Sequence, residues 1–126
     1  MGHSDADVVL HAVADALLGA SSLGDIGELF PDTDPRWQGL DGGVLLTEVM
    51  NRVTEAGWKV GNCDVVIHAQ EPKLTLHKPA IRENLARLLR VASTQVNVKA
   101  KTGEHVGPIG RAEAIACEAI ILTLES

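Results

Sequence analysis

The chain has 126 residues, 45% hydrophobic content and a formal net charge of −6, which suits one globular domain over 1–126 able to bury a core. Its acidic balance argues against non-specific nucleic-acid binding, and no apolar run approaches the roughly 18–20 residues of a membrane span. Aromatic residues make up only 2%, so the core falls to Val, Ile, Leu and Ala, which suit helices packed closely on a sheet.

Ser4 or Asp5 caps a predicted helix in which Val8, Val9, Ala12, Val13, Ala16 and Leu17 recur at helical spacing, ending near Gly19. No charged-then-apolar leader is expected ahead of it. Residues 20–40 mix Gly and Pro with acidic side chains and read as a short helix plus structured loops. A second helix is predicted over about 43–56, with Val44, Leu45, Val49 and Val53 on one face and a stop near Gly57. Residues 63–69 are rich in β-branched side chains and predict a strand. Pro79 then sits near the start of a third helix, roughly 79–92, with Ile81, Leu85, Leu88 and Leu89 apolar. Residues 96–100 alternate like a half-buried strand. The last segment, 111–124, stays open: its Ala and Glu suit a helix, while Ile115, Cys117, Ala119 and Ile121 alternate as in a strand. The order predicts α+β or α/β, with helices over one sheet. Cys63 and Cys117 form no paired motif and read as buried free thiols in a reducing cytoplasm.

Four stretches carry candidate chemistry. Asp7 and His11 stand at i and i+4 on one helical face. Carboxylate with imidazole suits Zn²⁺, but a site needs three or four ligands, and spacing alone favours a surface hydrogen-bonded pair. His3 and Ser4 lie at the helix N-terminus, where free N–H groups and the helix dipole favour a phosphate; Ser4 as a plain cap is the simpler alternative. Residues 23–35 offer Asp25, Glu28, Asp32 and Asp34 beside Gly24 and Gly27. These carboxylates suit bound cations or sugar hydroxyls, and turn chemistry accounts for them equally well. Residues 69–74 and 100–104 follow the two predicted strands, where α/β proteins tend to bind ligands. There Lys73 can pair with phosphate, Thr102 can donate to a phosphate oxygen, and Glu104 can hold Mg²⁺. His68, His77 and His105 have no partners at telling spacing and read as structural.

Taken together, Gly-His-Ser-Asp-Ala-Asp at 2–7, the helix that follows, and Leu-Gly-Asp-Ile-Gly-Glu-Leu-Phe-Pro-Asp-Thr-Asp-Pro at 23–35 resemble one family closely. So do 61–64, 69–73, 96–104 and 110–118. The family is 2-C-methyl-D-erythritol 2,4-cyclodiphosphate synthase, of the non-mevalonate isoprenoid pathway. The resemblance implies an α+β subunit of a homotrimer with a β-lined axis, its helices on one face of a mixed sheet and 111–124 as a strand. It implies cyclisation of a CDP-activated methylerythritol 2-phosphate with loss of CMP, in a cytoplasmic or plastid-like compartment. It places Zn²⁺ on His11 and Mg²⁺ (or Mn²⁺) on Glu104. His3 and Thr102 would steady the transition state, with Ser4 beside the phosphate. Asp25, Ile26, Gly27, Phe30, Asp32 and Asp34 would meet the methylerythritol part. Ala69, Lys73, Leu74, Thr75, Ala100 and Lys101 would line the cytidine and diphosphate pocket of a neighbouring subunit, and Arg111 is retained near the trimer axis. The family also begins with a strand whose Asp-x-His pair supplies two further zinc ligands. The expectation here is a member without that strand and impaired in turnover; the alternative is a non-catalytic trimer that still binds cytidine nucleotides. Gly107-Pro108-Ile109-Gly110 replaces a family turn that often holds Phe, which disfavours an apolar ligand on the axis.

Overall fold

The computed structural model describes residues 3–69, 73–102, 106–110 and 115–126, with the side chains of 3–5, 73–76 and 110 excepted. Its elements are α1 (His3–Ala20), α2 (Ile26–Leu29), α3 (Gly42–Glu55), β1 (Trp58–His68), α4 (Lys73–Leu89), a 3-10 turn (Ser93–Gln95), β2 (Val96–Lys101), α5 (Gly107–Gly110) and β3 (Ala116–Glu125). The three strands form one mixed sheet in the order β2-β1-β3. β1 runs parallel to β2, with Cys63 opposite Val96 and His68 opposite Lys101. It runs antiparallel to β3, from Trp58 opposite Glu125 to His68 opposite Ala116. This is the expected α+β arrangement, and the open last segment is a strand.

Local chemistry explains most of the boundaries. α1 runs past Gly19 and ends where Ser22 takes a left-handed φ of 56°. The Leu23 N–H donates to the Leu18 carbonyl at 2.9 Å and the Ser22 N–H to that of Gly19 at 3.2 Å, so two end carbonyls are satisfied together. α3 starts at its cap, Asp41, whose carboxylate accepts from the N–H groups of Gly43 at 2.7 Å and Val44 at 3.3 Å. It stops at Gly57, whose φ of 93° suits a residue without Cβ. Its buried face is Leu45, Leu46, Val49, Met50 and Val53, whereas Val44, expected inside, is 50% exposed.

Two elements begin earlier than the sequence predicts. β1 starts at Trp58, not 63, because pairing with β3 recruits Trp58, Lys59, Val60 and Asn62, Lys59 and Asn62 despite their low strand propensity. The register shifts between Val60 and Asn62. A Cβ on the intervening Gly61 would lie 3.1 Å from the Leu124 side chain. α4 starts at Lys73, so Pro79 lies inside the helix and not near its first turn. Having no N–H, it removes one intrahelical hydrogen bond. The helix ends at Arg90, with φ 62°, whose guanidinium donates to Asn51 at 2.7 Å and Thr54 at 3.3 Å and so ties α4 to α3.

The helices cover one sheet face. Cys63, Val65 and Ile67 of β1 point into a core with Val13, Leu17, Leu18, Leu45, Leu46, Val49, Leu85 and Leu89, all at most 1% exposed. α1 packs on both α3 and β3, and Thr123 donates to the Ala20 carbonyl at 3.2 Å. At the α1–α3 crossing the Gly42 N–H donates to Asp7 Oδ1 at 3.1 Å. A Cβ on Gly42 would lie 2.7 Å from that oxygen and 3.0 Å from Leu10 Cβ. The opposite sheet face exposes Ile120 (74%), Leu122 (55%) and Leu124 (43%). Beside them Lys99 Nζ meets Asp64 at 2.8 Å and His68 Nε2 meets Glu118 at 3.4 Å. The Lys99 ammonium, with the Asn97 amide, holds the Asp64 carboxyl below its usual range.

Two outcomes follow from this packing. Gly42→Ala must part α1 from α3 or break the Asp7 bond, and we expect it to cost about 1–3 kcal/mol in urea unfolding. Cys63 is fully buried, and burial foremost, then the nearby Asp64 charge, pushes its thiol from 9.0 up to about 12. The folded state thus favours the neutral thiol. Its contribution is complete below pH 9.0 and is lost as pH rises towards about 12, at roughly 1 kcal/mol per pH unit. Unfolding midpoints at neutral and alkaline pH should therefore fall more steeply for the parent than for Cys63→Ala.

Candidate functional site

The α1–α3 crossing positions one end of the site. Asp7 turns its half-buried carboxylate to the first N–H of α3, so it acts as a support between the two helices. One turn further along α1, His11 is exposed and opens onto a cavity of about 230 Å³. Ile26, Phe30, Asp32, Trp37, Gly39, Leu40 and Leu45 complete the lining. The fold therefore brings together His11, Ile26, Phe30 and Asp32 from segments up to 21 residues apart, all singled out in the sequence.

Short-range chemistry shapes the loop over that cavity. Asp25 caps α2, its Oδ1 accepting from the Glu28 N–H at 2.9 Å. Gly27 is exposed on the same short helix. Asp34 accepts from the Arg36 N–H at 3.0 Å, and the Arg36 guanidinium reaches both its oxygens, Nη2 at 2.8 Å from Oδ2. Those hydrogen bonds, side chain first and then backbone, hold the Asp34 carboxyl below its usual range. Phe30 is buried. Trp37 meets it edge-on, with ring centroids 4.9 Å apart and planes at 86°, and the Arg52 guanidinium lies 4.8 Å from the Phe30 ring centre.

A second group forms at the carboxyl end of the parallel strand pair. The Ala69 N–H donates to the Lys101 carbonyl at 2.9 Å, and Ala100 lies opposite Ile67. Ala69 is buried, Lys101 and Thr102 are exposed, and α4 begins four residues on at Lys73. Ala69, Ala100 and Lys101 are thus neighbours, as parallel strands require. The side chains of His3, Ser4, Lys73, Leu74 and Thr75, in the first turns of α1 and α4, lie outside the described residues, as do Glu104 and Arg111.

Sequence reasoning missed Trp37, Gly39, Leu40 and Leu45 in the cavity wall. The one available signal was Trp37, since the chain has a single Phe and two Trp. Zinc needs three or four donors, and among the described residues no group of three His, Cys, Asp or Glu side chains could hold a metal. His11 and Asp32, the two donor-bearing residues of the cavity, do not complete such a site by themselves. No helix among the described residues is long and apolar enough to cross a membrane.

The YgbB family model matches residues 1–124. The chain is 57% identical over 122 residues to the 2-C-methyl-D-erythritol 2,4-cyclodiphosphate synthase of Bordetella avium, covering 97% of this chain and 75% of that one. Its fold is similar to that of the bifunctional IspDF of Campylobacter jejuni, with a TM-score of 0.87 and 39% identity over 94% of this chain and 32% of that one. It is also similar to Plasmodium falciparum IspF in its CDP complex, with a TM-score of 0.84 and 32% identity over 100% and 76% of the two chains.

Proposed function

The chain belongs to the YgbB family, whose relatives are cyclodiphosphate synthases and hence lyases, and on that premise we propose that it acts on 4-diphosphocytidyl-2-C-methyl-D-erythritol 2-phosphate. In this reading an oxygen of the 2-phosphate attacks the β-phosphorus. The bond from that phosphorus to the α-phosphate oxygen breaks, and CMP leaves as 2-C-methyl-D-erythritol 2,4-cyclodiphosphate forms. The observation that carries the proposal is the cavity that gathers His11, Ile26, Phe30 and Asp32 from α1, α2 and the following loop. Its apolar wall and single exposed carboxylate suit a branched polyol. No general base is needed, because the attacking phosphate is already ionised. Holding both ends of one substrate makes the attack intramolecular, so positioning supplies much of the rate. Asp25, Ile26, Gly27, Phe30, Asp32 and Asp34 serve the methylerythritol side. The hydrogen-bonded end of β1 and β2, with Ala69, Ala100 and Lys101, serves the cytidine and diphosphate side together with Lys73, Leu74 and Thr75. His3, Ser4 and Thr102 steady the phosphates.

The exposed sheet face supports a homotrimer, with Ile120, Leu122 and Leu124 of three copies meeting around a β-lined axis, with Arg111 among the substrate-binding residues and with sites shared between neighbouring subunits. A single domain over 1–126 in a cytoplasmic or plastid-like compartment agrees with this reading. In the same reading His11 is one zinc ligand and Glu104 a magnesium (or manganese) ligand. Residues 1–126 contain no Asp-x-His pair, and His11 with Asp32 falls short of a zinc set. We therefore propose that these 126 residues alone hold Zn²⁺ weakly and turn over slowly. The same donor count favours the second reading, a trimer that binds cytidine nucleotides without catalysis.

A CMP-release assay with and without added Zn²⁺, run beside CDP calorimetry, separates the two. We expect CDP binding with slow, zinc-stimulated release; CDP binding without release would leave the binding module, and no CDP binding would overturn both. Sedimentation should give a trimer, and Ile120→Lys with Leu122→Glu should yield folded monomers. A parent that sediments as a monomer would overturn the assembly.

A further inference from the structure

Asp34, placed above on the methylerythritol side, forms with Arg36 and Trp37 a chain of contacts, and the proposed reaction gives those last two residues no part. Four donor contacts converge on the Asp34 carboxylate: the Arg36 N–H at 3.0 Å, Nε at 3.3 and 3.2 Å from the two oxygens, and Nη2 at 2.8 Å. A carboxylate offers about four lone-pair positions, so little of Asp34 remains for a ligand hydroxyl. The guanidinium held in this way lies with Cζ 5.1 Å from the Trp37 ring centre, within the range where a cation is drawn to an indole face. Trp37 in turn meets Phe30 edge-on at 4.9 Å, and both rings line the cavity with His11 and Asp32. Arg36 itself is 73% exposed and lies outside the lining of the cavity. Its effect on a ligand therefore passes through the indole.

We propose that Asp34 acts through Arg36 to fix the Trp37 indole as an aromatic wall of the cavity. Asp34 and Arg36 are then positioning residues for the methyl-bearing polyol, and Trp37 is the surface that meets it. This rests on the reading of the cavity as the methylerythritol end of the site. A clamp made by residues only two apart in sequence orders the loop without help from the core, so its loss should loosen the wall and leave the fold intact. The nucleotide end of the substrate, assigned to the strand ends, should not register the change.

The test compares two ligands by calorimetry: CDP, which lacks the polyol, and CDP-activated methylerythritol 2-phosphate. We expect Arg36→Met and Asp34→Asn to weaken the full substrate about tenfold, the scale of one lost apolar contact surface, while CDP affinity and Tm stay at parent values. Trp37→Ala should repeat that loss and Trp37→Phe should restore most of it, since a phenyl ring can still meet Phe30 and the guanidinium. Unchanged substrate affinity, or equal loss for both ligands, would overturn the proposal. A ligand-free measurement checks the clamp separately. In a Trp58→Phe background, acrylamide quenching of Trp37 should rise on Arg36→Met, and unaltered quenching would refute the clamp. If the parent binds neither ligand, the functional reading falls and the ligand half of this proposal with it, while quenching still decides the clamp.

Discussion

The close approach of α1 and α3 at Gly42 is the constraint on which the rest of the molecule depends. α1 is packed on one side by α3 and on the other by β3, so its position determines how the helical layer sits on the sheet. Only a residue without Cβ lets the backbones approach this closely, since any side-chain carbon at 42 would meet Asp7 and Leu10. The Asp7 carboxylate then satisfies an N–H at the start of α3 that has no partner within its own helix. A negative charge at a helix N-terminus is favoured by the helix dipole. The hydrogen bond thus sets the spacing of two helices and, one turn on, places His11 at the mouth of the cavity.

The carboxylates of 25–34 divide into those that build the loop and one that faces the cavity. Asp25 is engaged by the α2 backbone and Asp34 by Arg36. Asp32 alone of these three lines the cavity. Several unengaged carboxylates gathered in one short loop would repel one another. Two structural carboxylates with committed donors and one exposed oxygen pair avoid that difficulty. Phe30 anchors the arrangement, buried between the edge of Trp37 and the cation of Arg52.

The sheet has two unlike faces. One is covered by α1, α3 and α4. The other carries an apolar row on β3 beside the His68–Glu118 pair, which joins β1 to β3, and the Lys99–Asp64 pair, which joins β2 to β1. Exposed ion pairs of this kind contribute little to stability. A contiguous exposed apolar row bordered by charges is characteristic of an association surface, where the charges set orientation.

The sequence by itself determined the helices whose ends carry their own chemistry. α3 is the plainest case, opened by Asp41 and closed by Gly57, and α1 follows from its apolar period. The motif residues were also legible, because clustered His, Asp and Gly side chains are visible without coordinates. Only the tertiary structure decided what depends on partners distant in the chain. Residues 116–125 are a strand because β1 supplies their hydrogen bonds, which alternating Ala, Cys and Ile could not announce. Trp58–Asn62 joins β1 for the same reason, against the propensity of Lys59 and Asn62. Pro79 looked like a helix start because its missing N–H is harmless there. The contacts of α4 with β2 and α3 extend the helix on both sides of it. Trp37 stayed hidden because its value lies in meeting Phe30 across a loop without period. The same holds for the division of labour among Asp25, Asp32 and Asp34. Identical side chains take different roles according to which donor each one reaches, and only the folded chain determines that.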